Sequence, residues 1–253
     1  MSLLRMRASA AFAAMAHAER WADAGRRPFT TPLTDRAIAL AKAIAVTGRV
    51  RTECLGAPLP PGARAVLCIP IGVTTRPQNH NRVVDEVATA LGAMHASSIE
   101  VAGGCAVAAG MAALLDGWDM EGAVDLALFA ARRGIPFGPR RSKVDVVAQI
   151  RRSIDEVDDA GGWSPIIADS IRNWGAGEGV APLALALAYA HRGRVVDALA
   201  VAVREFGPGP IGMLAAALCA AYRPEEIPDA EAQSFETLAE PLLDIRFPGW
   251  SAN

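Results

Sequence analysis

The sequence is poor in aromatic residues, and this shortage limits the folds that it can adopt. Only 6% of its 253 residues are aromatic, although hydrophobic residues of all kinds make up 52%. A core with so few rings must be filled mainly by alanine, leucine and valine, which suit closely packed helices better than sheets. The composition therefore predicts an all-α protein. No linker-like segment divides the chain, so we expect a single compact helical domain over residues 1–253.

An excess of charge of either sign is also missing. Lys and Arg number 25 and Asp and Glu number 27, which gives a formal net charge of -2 at pH 7. No dense basic stripe with interleaved aromatic residues occurs, so nucleic acid is not an expected partner. The expected partner is a small-molecule substrate.

Long apolar runs and paired cysteines are absent as well. The longest membrane-like run, residues 101–115, is short and contains three glycines, so no membrane segment is expected. The four cysteines lie far apart without zinc-site spacing, which indicates reduced core residues of a cytoplasmic protein. Residues 1–18 resemble a secretory signal, but the run is alanine-rich and His17 interrupts it. A first buried helix is the alternative that fits the same residues.

Hydrophobic periodicity and helix end signals divide the chain into a series of helices. Residues 50–78 and 161–179 have irregular patterns, and the acidic tail after Pro224 is expected to lie on the periphery. Two buried helices are expected to meet at the polar residues 95–98. The predicted helices cover residues 3–24, 35–46, two parts of 82–115, 120–133, 144–158, 182–191, 195–206 and 211–222.

Six degenerate motifs follow one another along the chain. The first is the small-residue helix of residues 5–18, and the others are Thr31-Pro32-Leu33-Thr34, Ile69-Pro70-Ile71-Gly72, Met94-His95, Gly177-Glu178-Gly179 and the segment 205–210 before the last buried helix. In order and spacing, this set resembles the ADP-ribosylglycohydrolase family, which includes the dinitrogenase reductase-activating glycohydrolases. The resemblance covers roughly residues 5–222 with one large deletion. It implies an all-α fold with a cleft lined by helix termini.

The resemblance also implies a magnesium site, but the carboxylates of that site are replaced in this sequence. His17 stands where the first motif has an aspartate, and Pro32 and Leu33 replace the two aspartates of the second. Gly207 and Gly209 fall on the aspartate positions of the last motif. Because Mg²⁺ is usually held by carboxylates and water, we expect neither a metal nor another cofactor.

Three side chains are candidates for acid–base catalysis at the implied cleft. His17 replaces a metal ligand, and an imidazole near its ordinary pKa can give or take a proton; the alternative is a hydrogen-bonded core histidine. His95 matches a family position that lines the ribose pocket. Glu178 lies between two glycines at the start of a helix and is the expected carboxylate partner, or else a solvated charge favoured by the helix dipole.

Seven further residues are candidates for substrate contacts. Thr31 and Thr34 keep the hydroxyl groups of the family motif, although Thr34 suits a helix N-cap equally well. Gly207 and Gly209 precede a helix whose backbone N–H groups can meet an anion, but the neighbouring prolines remove two donors. The remaining candidates are Asp169, Asn173 and Trp174.

Taken together, these features predict a metal-independent enzyme on an ADP-ribosylglycohydrolase scaffold. We expect acid–base catalysis on a small biosynthetic intermediate of a ribosylated or nucleotide-derived class. N-glycoside hydrolysis, elimination and cyclisation all stay open, so the enzyme is either a hydrolase or a lyase or cyclase. The alternative is a non-catalytic ligand-binding or scaffold protein, a pseudoenzyme that keeps the cleft without the reaction.

Overall fold

The regular structure of the chain is helical. The computed structural model describes residues 2–23, 33–140, 144–172 and 177–247, and within these ranges there is no β-strand. Short 3-10 helices occur at Thr52–Cys54, Ala63–Leu67, Pro77–Asn79 and Pro224–Glu226. The α-helices are α1 (Leu3–Asp23), α2 (Leu33–Thr47), α3 (Cys68–Thr74), α4 (His80–Gly92), α5 (Ser98–Leu115), α6 (Met120–Gly134), α7 (Val146–Ala160), α8 (Pro165–Arg172), α9 (Val180–His191), α10 (Val195–Phe206), α11 (Pro210–Tyr222), α12 (Asp229–Gln233) and α13 (Glu236–Arg246).

Two segments that were predicted to be irregular contain α-helices among the residues that the structure describes. In α3, Pro70 occupies the third position, where the missing N–H has no intrahelical acceptor to lose. Gly72 does not break α3, because its role is close packing: a Cβ atom there would lie 2.6 Å from the carbonyl oxygen of Ala108. Pro165 likewise starts α8. In α3 and α8, proline therefore marks the first turn of a helix, and the glycine of α3 marks a close contact between helices.

The central helix α5 is buried on all sides, and α3, α4, α6, α9 and α11 pack around it. Ser98, Ile99 and Glu100 extend it beyond the predicted apolar run. Among the described residues, it is the one helix long and apolar enough to cross a membrane. Of this 18-residue helix, 94% is buried inside the fold, as expected for a core helix.

The acidic tail contributes to the core, in contrast to the predicted peripheral position. Helix α13 buries Leu238, Leu242 and Leu243 against α1, α2 and α3. Its last residue, Arg246, has a fully buried side chain that donates to the carbonyl oxygen of Ala112 at 2.8 Å and to Asp116 at 2.5 Å. The same guanidinium donates to carbonyl oxygens of α3 and of Thr75. The tail thus connects α13 to both α3 and α5.

Candidate functional site

The first turn of α5 is held by a buried charged network. Ser97 and Glu100 form a capping box, in which the Ser97 hydroxyl accepts from the Glu100 N–H and the Glu100 carboxylate accepts from the Ser97 N–H at 2.9 Å. Arg64 donates to both oxygens of Glu100 at 3.0 Å and to the carbonyl oxygen of Leu59 at 2.9 Å. Because both charged side chains are almost fully buried, each needs the other. Glu100 therefore has a structural role.

The start of α9 lies beside this turn. A Cβ atom on Gly103 would approach the Cβ atom of Ala181 within 2.9 Å. One on Gly177, whose φ is +92°, would lie 2.4 Å from the backbone nitrogen of Gly62. This close approach places Glu178 in a crevice with Glu100. The crevice encloses about 10 Å³, which is room for about one water molecule and not for a substrate.

A larger cavity of about 210 Å³ opens between the first turns of α5 and α7. Its polar lining consists of Ser98, Arg140 and Asp145, and we call it the α5–α7 cavity. The Oδ1 atom of Asp145 accepts from the N–H groups of Val147 and Ala148 at 3.0 and 3.1 Å, which caps α7. The cavity is therefore the part of this helix-terminus region with room for a small molecule.

The segment that follows α6 brings Arg140 to the start of α5. The backbone N–H of Ser98 donates to the carbonyl oxygen of Pro139 at 3.1 Å. Gly138 has a φ of +85°, and a Cβ atom there would lie 2.9 Å from the carbonyl oxygen of Ala96. This return of the chain depends on long-range packing. The sequence contains the signal for Asp145, an N-cap residue before an amphipathic helix, but no signal that joins it to Ser98 or Arg140.

The N-terminus of α2 is closed by a carboxylate from α1 that the sequence analysis did not single out. Glu19 is 8% exposed, and it accepts from the N–H groups of Leu33 at 2.6 Å and Thr34 at 3.0 Å. Thr34 lies inside the first turn, so its predicted alternative role as N-cap is wrong. Its Oγ1 atom is buried without a partner. Whether Thr34 contacts a substrate stays a prediction.

These helix ends do not fit a magnesium site. Both oxygens of Glu19 already accept backbone hydrogen bonds, and Gly207 and Gly209 have no side chains to offer. Within the described ranges, no three His, Cys, Asp or Glu side chains lie together in a way that could hold a metal ion. A hard cation that requires several oxygen ligands finds no such set of donors there.

His17 lies on a different surface from the α5–α7 cavity. Its Nδ1 atom is 3.4 Å from Glu231, its ring contacts Trp21 edge-on, and its side chain is 40% exposed. Together with Arg20 and Val196, these residues line an open depression of about 480 Å³. The alternative reading of His17 as a core histidine is therefore wrong, because the side chain is a partly exposed partner of Glu231.

Among the candidate site residues that the structure describes, His17 alone lines this depression. Glu19, which contacts the start of α2, is two residues further along α1, and side chains with that spacing point to different faces of a helix. Val196 lies in the first turn of α10, and Gly207 follows the last residue of that helix. At a rise of 1.5 Å per residue, the two residues are roughly 16 Å apart along the helix. The depression around His17 is thus far from the loop between α10 and α11.

His95 lies in the turn between α4 and α5, with its side chain exposed. Its φ is +56°, and its backbone N–H donates to the carbonyl oxygen of Gly92 at 3.0 Å. The polar residues 95–98 therefore have a structural role: His95 reverses the chain and Ser97 caps α5. His95 is not part of the lining of the α5–α7 cavity.

The other candidate residues are dispersed. Gly207 ends α10 with a φ of +76°, Gly209 precedes α11, and Asp169 is exposed on α8. Their contact with a ligand stays a prediction. Thr31, Asn173 and Trp174 lie outside the described residues. Of the cysteines expected in the core, Cys54 is exposed, while Cys68, Cys105 and Cys219 are buried.

Comparisons with known proteins show a likeness in structure only. No protein-family model matches the chain, and no curated protein matches it. A solved structure described as an "ADP-ribosylglycohydrolase-related protein complex" is similar with a TM-score of 0.66 at 17% sequence identity. The similarity covers 97% of this chain and 99% of that chain. The all-α fold of the ADP-ribosylglycohydrolase type, expected from the order of the motifs, is thereby confirmed.

Proposed function

On this ADP-ribosylglycohydrolase-type fold, we propose that the protein binds a small metabolite in the α5–α7 cavity and acts on it by acid–base catalysis without a divalent cation. The observation that supports this proposal is the convergence of Ser98, Arg140 and Asp145 on a cavity between two helix N-termini. The cavity lies on a scaffold whose usual metal ligands are replaced. The expected substrate is a small molecule, a ribosylated or nucleotide-derived biosynthetic intermediate.

The polar groups of the cavity suit a proton transfer near a developing negative charge. Asp145 is held in place by two N–H donors to its Oδ1 atom, which leaves Oδ2 for a substrate proton. Arg140 can stabilise negative charge on the reacting group. Glu178, in the adjoining crevice that shares Ile99 with the cavity, is the second carboxylate candidate. N-glycoside hydrolysis, elimination and cyclisation are all compatible with such a pair.

A cytoplasmic location is part of the same proposal. It rests on the four cysteines, none of which forms a disulfide. The balanced charge of the chain supports the expectation that neither nucleic acid nor a membrane is a partner.

A non-catalytic ligand-binding or scaffold role is the second candidate function. It is favoured by the positions of His17 and His95, because neither histidine lines the α5–α7 cavity.

A thermal-shift titration with ADP-ribose and with ribose 5-phosphate tests the proposal, each in magnesium and then in a chelator. A ligand at 100 times its Kd should stabilise the native state by about 2.7 kcal/mol, and we expect this shift to be unchanged by the chelator. Turnover of a bound ligand that is lost in Asp145→Asn supports catalysis, whereas binding without turnover supports the scaffold role. A shift that needs magnesium, or no shift with either ligand, would contradict the proposal.

A further inference from the structure

The outer side of α6 and the turn that follows it expose two phenylalanines, Phe129 at 42% and Phe137 at 39%. Arg133 lies midway between them in the chain, so the three side chains follow one side of the helix about a turn apart. The N–H of Phe137 donates to the carbonyl oxygen of Gly134 at 3.0 Å, which continues the helical direction beyond α6. At 1.5 Å per residue, the row is roughly 12 Å long. Single exposed apolar residues are ordinary, whereas aligned ones are typical of interaction surfaces.

The charge that accompanies this row has one sign, although the chain as a whole is balanced. Residues 126–144 contain four arginines, one lysine and no acidic residue. Of these, Arg132 and Arg133 are exposed on the last turn of α6. The acidic residues of the neighbouring α4, Asp85 and Glu86, line a depression to which no residue of α6 contributes. The aromatic row therefore lies in a locally positive part of the surface.

Two neighbours hold the ring of Phe129 in place. His80, at the start of α4, contacts it edge-on, with ring centroids 4.9 Å apart and an angle of 85° between the rings. The guanidinium carbon of Arg133 lies over the ring, 5.8 Å from its centroid. A ring held in this way loses little side-chain entropy when a partner binds. We call His80, Phe129, Arg132, Arg133 and Phe137 the α6 surface, and none of them lines the α5–α7 cavity.

We propose that the α6 surface binds an acidic, amphipathic segment of another protein. Its carboxylates would lie toward Arg132 and Arg133, because opposite charges at an interface select the partner and speed its association. Its apolar side chains would lie against Phe129 and Phe137, whose spacing suits a partner with apolar residues at helical intervals. Aromatic residues and arginine are also the types enriched at protein interfaces. This inference goes beyond the proposed function and does not depend on it.

The same features favour a protein over the other anionic partners. Sites for anionic lipids typically contain about four to eight basic residues in a cluster, and the α6 surface has two arginines. Stacking of a nucleic acid base requires an open ring face, and Arg133 covers one face of Phe129. A protein segment needs only the exposed edges of the two phenylalanines and the two guanidinium groups.

Fluorescence anisotropy of the full chain with labelled peptides tests this inference. The probe peptide has leucine at helical spacing and glutamate at the other positions. One comparison peptide replaces every glutamate by lysine, and a second replaces every leucine by serine. We expect the probe to bind at least about tenfold more tightly than either, and its affinity to fall as salt is added.

Two changes on the α6 surface separate the roles of charge and apolar contact. The double variant Arg132→Gln with Arg133→Gln should weaken the probe about tenfold or more and reduce the salt dependence of its affinity. Phe137→Ala should weaken the probe by a similar factor, since truncated interface aromatics are costly, but should leave the salt dependence unchanged. Thermal unfolding of each variant checks that it folds.

The chain offers a matched control for each change. Arg151→Gln with Arg152→Gln removes another pair of adjacent, exposed arginines, on α7, and Trp118→Ala removes another aromatic side chain that is 39% exposed. Both controls should bind the probe like the unchanged protein. Equal affinity for the three peptides, or equal losses in the controls and the α6 variants, would overturn the inference. Phosphatidylserine vesicles and a single-stranded oligonucleotide are the remaining probes. Binding of either one that depends on the α6 surface, without binding of the peptide, would also overturn it.

Discussion

The N-termini of α2 and α7 are both capped by a carboxylate, but they differ in what the carboxylate leaves available. At α2, Glu19 of another helix gives both of its oxygens to backbone N–H groups and is nearly fully buried. At α7, Asp145 gives one oxygen to two backbone N–H groups, is exposed, and lines the cavity. The first end is closed by the protein itself, and the second is open to a ligand.

The family motif and the polar groups that are available to a ligand therefore lie at different helix ends. The start of α2 matches the motif that the resemblance assigns to metal binding. Its backbone N–H groups at Leu33 and Thr34, however, already donate to Glu19. The α5–α7 cavity matches no motif that the sequence analysis used, yet two exposed charged residues, Arg140 and Asp145, line it. A scaffold can keep its fold while the polar groups available to a ligand move to the neighbouring helix ends, because fold and site depend on different residues.

The largest expected effect concerns Glu100 at the start of α5, a carboxylate whose oxygens are already bonded within the protein, like those of Glu19. Arg64→Met removes the only ion-pair partner of the buried Glu100 among the described residues, and an uncompensated buried charge typically costs about 3–5 kcal/mol of stability. Urea unfolding measures the loss. The double variant Arg64→Met with Glu100→Gln should recover part of it, since the uncompensated charge is gone. Equal stability of the single and double variants would show that the pair is not coupled.

The second prediction concerns the cap of α2. Glu19→Ala leaves two N–H groups of the first turn without their charged acceptor, which should lower the free energy of unfolding by about 2–3 kcal/mol. Asp35→Ala is the matched control, because Asp35 is an exposed carboxylate in the same first turn and should cost less than about 1 kcal/mol. Binding at the α5–α7 cavity should be unaffected by either change. A loss of binding in Glu19→Ala would mean that the two helix ends belong to one site.

The third prediction tests whether Asp145 is more than a cap. Asp145→Ala should lower stability by about 1 kcal/mol, as loss of an N-cap does, while Asp145→Asn should be nearly neutral. Both variants should lose ligand affinity, because both lack the carboxylate charge. Chemical unfolding and calorimetric titration of the same samples separate the two roles. If Asp145→Asn binds like the unchanged protein, Asp145 acts only as a cap.

The fold could be predicted from the sequence further than the site could. Alanine-rich periodicity and end signals gave helices such as α6 and α10, whose bounds depend on neighbouring residues. Contacts across the chain could not be seen in this way. The contacts of Leu33 with Glu19, of Arg246 with Ala112 and of Ser98 with Pro139 all join residues distant in sequence. The alignment of the first motif predicted His17 at the implied cleft, whereas in the structure its side chain lies beside Glu231.

The smallest expected effect is a pH dependence of stability that has no connection with the α5–α7 cavity. His191, at the end of α9, is buried, and neither ring nitrogen has a hydrogen-bond partner among the described residues. Burial lowers the pKa of His191, Arg194 lowers it further, and Asp197 opposes them. The unfolded chain, with an ordinary histidine pKa of about 6.5, then binds more protons than the native state just below that pH. Stability from the neutral ring is therefore complete above about pH 6.5 and is lost as the pH falls toward the lowered native pKa.

His191→Met should make the stability less dependent on pH over this window, because methionine fills the space without titrating. Urea unfolding at pH 7.5 and pH 5.5 measures the difference, and this range avoids most carboxylate titration. His95→Gln is the matched control, since it also removes one imidazole but at an exposed position in the turn between α4 and α5. A slope that survives in His191→Met and disappears in His95→Gln would contradict the assignment.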